Sequence, residues 1–81
     1  MTRDELALVV GRNLKSLRRK QGFDTAVAFA EHIGVRAVTL CKYEKGRMLP
    51  GTEILYRIAE SCSVSVDELL GRKPQATTPA A

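Results

Sequence analysis

Tryptophan is absent, and two tyrosines and two phenylalanines are all the rings in 81 residues. A core with so few rings rests on aliphatic side chains, and a chain this short has little core to spare. The two cysteines, Cys41 and Cys62, are too few for a disulfide scaffold and lack metal-ligand spacing. The single histidine, His32, has no metal partners at helical spacing and is expected to be solvated. There is no Gly-rich phosphate loop and no nucleophile paired with a base. No catalytic site, metal or cofactor is therefore expected. No apolar run approaches the roughly 20 residues of a membrane span. No charged-then-apolar leader opens the sequence. The expected setting is a reduced cytoplasm, with no membrane partner.

What is present is charge with a pattern. The net charge is +4 and 44 % of residues are hydrophobic. Residues 1–23 carry +4, from six Lys or Arg against two acids, whereas residues 24–34 carry −2. Residues 35–50 return to +3, and residues 51–81 carry −1. The basic stretches flank an acidic segment, which fits a polyanion partner; the plainer alternative is that these cations only solubilise the surface.

Helical periodicity runs through the chain. Thr2-Arg3-Asp4-Glu5 has the form of a capping box. Leu6, Val10, Leu14 and Leu17 follow at helical spacing, a helix of about five turns. Gly11 inside it lowers helix propensity by roughly 1 kcal/mol, so it marks either close packing or frayed first turns. Arg18, Arg19 and Lys20 suit the negative end of the helix dipole, and Gly22 stops it. Phe23 is expected to be buried. Thr25 is the expected cap of a second helix, Ala26 to Ile33, with Phe29, Ala30 and Ile33 inward. Gly34 can turn the chain in the left-handed region, and Val35 is placed to bury in the corner. A third helix, Ala37 to Lys45, follows Arg36, which has no acceptor oxygen to offer as a cap. Leu40 and Tyr43 face inward, and Gly46 ends this helix. A fourth helix begins near Thr52 with Leu55, Ile58, Ala59 and Cys62 inside. Ser65-Val66-Asp67-Glu68 is a second capping box, opening a short fifth helix with Leu69 and Leu70 inside. One all-α domain is expected over residues 1–71, with a disordered tail at 72–81. Two helices crossing through a short glycine turn form a helix-turn-helix, whose second helix can enter a DNA major groove.

Four stretches in order then carry a family resemblance. They are LKSLRRKQG (Leu14–Gly22), FAEHIGV (Phe29–Val35), LCKYEKGRMLP (Leu40–Pro50) and ILYRIAESCSVSVDELL (Ile54–Leu70). Together they resemble the phage repressor and Cro-type helix-turn-helix domains, also called the xenobiotic-response-element family. The resemblance implies a compact five-helix, lambda-repressor-like fold that binds double-stranded operator DNA, usually as a two-fold homodimer. It also implies an ion pair between Arg18 and Glu44, tying the first helix to the reading helix with Arg18 near a phosphate. The alternative is an ordinary surface pair of under about 1 kcal/mol. Three departures stand out. Gly22 to Phe29 is one residue longer than usual, Ala26 replaces a phosphate-bonding glutamine, and Arg36 stands where serine or threonine usually caps the reading helix.

Matching family positions make Ala37, Val38 and Lys42 candidates for reading bases; Arg36, long enough to reach a guanine or a phosphate, and Cys41, a weak donor with a small apolar surface, join them as candidates. Lys42 can donate to guanine O6 or N7; Ala37 and Val38 can meet only thymine methyls. Val38 could instead be a boundary core residue, and Cys41 a tolerated small one. The candidates for phosphate contacts are Arg18, Thr25, Thr39, Lys45 and Arg47, which position without naming the sequence. The expected function is a sequence-specific transcriptional regulator with its dimer surface near Val64 to Leu70. The alternative is an antitoxin-like protein-interaction module with a protein partner at the Ala37-Val38 face.

Overall fold

The Thr2 hydroxyl accepts from the Glu5 amide and the Glu5 carboxylate accepts from the Thr2 amide, both at 3.1 Å, and this closed box starts the first helix. The capping bonds hold the Glu5 carboxyl below its ordinary value, the bond from the Thr2 amide contributing most. A computed structural model describes residues 1–72. It shows five helices: α1 (Arg3–Lys20), α2 (Ala26–Ile33), α3 (Ala37–Glu44), α4 (Thr52–Cys62) and α5 (Val66–Leu69). The described residues contain no strand, and no helix among them is long and apolar enough to cross a membrane. The expected disordered tail lies, from residue 73 onward, outside the described residues. Arg72, counted with that tail, instead donates its amide to the Asp67 carbonyl at 2.8 Å and helps close α5.

The core is aliphatic around one phenylalanine. Val10, Leu14, Phe29, Ile33, Leu40, Ile58 and Leu69 are the large side chains sealed from solvent. One or more comes from every helix, so no helix is stable without its neighbours. Helix α1 packs on α3 and α5, α2 on α3 and α4, and α4 on α5. Gly11 is buried at the crossing of α1 and α3, and a Cβ there would stand 2.5 Å from the Tyr43 carbonyl oxygen. Close packing, not fraying, explains this glycine.

Side chains close several helix ends whose carbonyls lack intrahelical partners. Asn13 donates to the Leu69 carbonyl at 3.0 Å and joins α1 to α5. Gln21 donates to Cys62 at 3.3 Å, and His32 lies 3.1 Å from the Ser61 carbonyl through Nε2. His32 also stacks on Phe23, with centroids 5.0 Å apart. It is exposed but braces α2 against the end of α4, where free solvation was expected. Phe23 is half-buried rather than buried, leaning on Phe29 at 5.4 Å. Leu6, Val35 and Leu70 are likewise half-buried, at the edge of the core. The Ser65 hydroxyl caps Glu68 at 3.2 Å without the return bond, so the second capping box is half formed.

Candidate nucleic-acid interface

Thr25 caps α2 by accepting from the Ala28 amide at 3.2 Å. Its own O–H remains free to donate outward, because the hydroxyl serves the cap as an acceptor. Helix α2 ends at Gly34, with φ +79°, a left-handed conformation that L side chains rarely adopt. The amides of Gly34 and Val35 converge on the Ala30 carbonyl at 2.9 and 3.0 Å, the closing bonds of a sharp helix end. Arg57 on α4 donates to the Gly34 carbonyl at 3.1 Å and holds the turn from behind. Helix α3 starts three residues later, after Arg36, whose side chain makes no capping bond. The amides at its start are therefore left to solvent or a ligand.

Leu40 and Tyr43 bury the inner face of α3. Val38 and Lys42 are exposed, with Lys45 and Arg47 just beyond the helix end. Val38 is 54 % exposed, which removes the reading of it as a boundary core residue. Ala37 and Thr39 are half-buried, and Ala37 also touches the core. Lys45 ends the helix in an αR conformation, one residue past the observed end at Glu44. The ion pairs among the described residues are Arg18–Glu44 and Arg57–Glu53, so Arg36, Lys42, Lys45 and Arg47 stand unpaired.

Arg18 is what fixes α3 in place. Its Nε donates to Glu44 Oε2 at 3.0 Å, with the two side chains only 8 % and 9 % exposed. Its Nη1 donates to the carbonyls of Phe23 and Asp24 at 3.0 and 2.9 Å, so one guanidinium joins α1, the α1–α2 turn and α3. This is a buried bridge, not a surface pair. No partner of Nη2 is found among the described residues, and no buried side-chain nitrogen or oxygen lacks one, so Nη2 is the part that meets solvent.

Cys41 is half-buried, on the side of α3 that adjoins α1. It lines a shallow concavity of about 140 Å³ with Lys15, Arg18, Glu44 and Lys45. Lys15 is the member that the sequence reading missed. Its position three before Arg18 on one helix was the available signal. Cys62, by contrast, is in the core, and burial pushes its thiol pKa up.

The model of the helix-turn-helix domain matches residues 11–73. This chain belongs to the helix-turn-helix family. Within it, the chain is 40 % identical over 55 residues to the cryptic phage CTXphi transcriptional repressor RstR of Vibrio cholerae serotype O1. That match covers 68 % of this chain and 49 % of the relative. It is 32 % identical over 63 residues to the antitoxin PezA of Streptococcus pneumoniae serotype 4, covering 78 % of this chain and 39 % of that protein. The chain thus spans half or less of the curated relatives it matches. No solved structure gives a significant match.

Proposed function

We propose that the chain is a sequence-specific, double-stranded DNA-binding transcriptional regulator that lays α3 in the major groove as a two-fold dimer on a near-palindromic operator. The observation that carries this is the outer side of α3: exposed cations around Val38, without ion-pair partners among the described residues, on a helix locked to the body by the buried Arg18–Glu44 bridge. Likeness to a phage transcriptional repressor supports the same reading. Lys42 donates to guanine, and Arg36 reaches a guanine or a phosphate. Val38 and Ala37 meet thymine methyls, and Cys41 adds a small contact from the edge nearer α1. Thr25, Thr39, Lys45, Arg47 and the free Nη2 of Arg18 take phosphates. With so few polar readers, DNA shape supplies part of the specificity. The dimer surface is the α4–α5 region, where Tyr56 is exposed and Val64, Val66 and Leu70 are half-buried.

Selection of bound sequences from random DNA tests this. A two-fold motif with half-sites about 34 Å apart is expected. Recovery of no motif, with no retention in a mobility shift at any salt concentration, overturns it. That outcome favours a second reading, an antitoxin-like protein-interaction module. The 32 % identity to the antitoxin PezA and the apolar Ala37-Val38 step on an otherwise cationic face support that alternative.

A further inference from the structure

Arg12, Lys15 and Arg19 stand on α1 at positions i, i+3 and i+7, all exposed. With Ser16 and Lys20 they line one shallow concavity on the outer face of the helix. None of the three is in an ion pair among the described residues. The acids of α1, Asp4 and Glu5, lie in its first turn, well over one turn before Arg12. Like charges three and four apart on a helix repel, so such a stripe weakens α1 unless an anion covers it. Lys20 also borders a second concavity that contains Glu68.

Lys15 lines the α1–α3 concavity as well, beside Lys45 and the free edge of Arg18. The outer stripe is therefore continuous with the cations at the end of α3. Arg12 to Arg19 spans roughly 10 Å along the helix axis. One DNA strand presents a phosphate about every 3.4 Å of duplex axis, so a stripe of this length laid along that axis spans about three phosphates.

We infer that the DNA contact extends beyond the helix-turn-helix: Arg12, Lys15 and Arg19 form a phosphate track on α1 that holds the sugar-phosphate backbone flanking the sequence read by α3. This rests on the DNA-binding reading above. Continuity through Lys15 favours a duplex over an acidic protein, which would not need the seam with α3. The track adds affinity without naming bases, and so offsets the small number of polar readers on α3.

The test compares the wild-type chain with R12Q/K15Q/R19Q on the duplex selected from random DNA and on an unrelated duplex, from 50 to 200 mM salt. Circular dichroism confirms that each variant is folded. Three lost contacts should lower the log–log salt slope by about 2.7 in magnitude, equivalent to about 40-fold of affinity over that salt range. The selected motif should be unchanged. R12K/R19K should keep the wild-type slope, because lysine remains a point charge for phosphate. A folded glutamine variant with the wild-type slope overturns the track while leaving the DNA-binding reading intact, and leaves the stripe to an acidic protein. If the wild-type chain itself binds neither duplex, both readings fail together.

Discussion

Gly11 sits where α1 crosses the end of α3, and an added Cβ would meet the Tyr43 and Glu44 carbonyl oxygens at 2.5 and 2.8 Å. Helix propensity alone favours alanine there by roughly 1 kcal/mol. Backbone oxygens cannot swing aside as a side-chain tip can, so the two helices would have to separate. Gly11→Ala is therefore expected to destabilise by about 1–3 kcal/mol, the cost of overpacking. Reversible urea unfolding measures it; a gain in stability would show that the crossing is looser than its geometry. Small size also matters at Ala30, which is 1 % exposed on the inward face of α2. Periodicity marks Ala30 as internal and leaves Gly11 open between close packing and fraying; only the crossing decides Gly11 and tells which helix lies across each.

Helix α3 is the least self-sufficient of the long elements. It has eight residues, no side-chain N-cap and no acid in its first turn. Such a helix is marginal by itself and depends on its packing. Arg36→Ser would supply the missing acceptor to the free amides and should stabilise the domain by about 1 kcal/mol. The same change removes a cation from the proposed reading face, so operator affinity should fall while the urea midpoint rises. Opposite movement of the two quantities supports a functional arginine at a structurally poor position. If affinity stays level as stability rises, Arg36 has no part in binding. The opposite design holds at α1 and α2, where Thr2 and Thr25 are satisfied caps.

At the level of the molecule, Arg18 is the joint between α1, the α1–α2 turn and α3. Removing one member of a buried pair leaves the other charge without compensation, at about 3–5 kcal/mol. Native domains have only about 5–15 kcal/mol in total, so Arg18→Met should unfold a large fraction of its margin. Glu44→Leu added to it should recover much of the loss, because the uncompensated carboxylate is gone. Urea unfolding of the two single variants and the double variant checks this. Additive losses would mean that the pair is not coupled across the core.

The five helices, their order and most of their inward faces were legible in the residues, because periodicity and caps are local properties. Thr2, Thr25 and Gly34 announced their roles through chemistry that acts within four residues. Other features were decided only by the tertiary structure. Phe23 is leaned on by His32, Cys41 faces the seam with α1, and Lys15 sits beside Lys45. Each depends on which turn of one helix meets which turn of another, and spacing along a single helix carries no such information. Pattern could therefore say that Arg18 and Glu44 belong together by family likeness. That the bridge is buried, with one guanidinium edge left toward solvent, follows from how three segments enclose it.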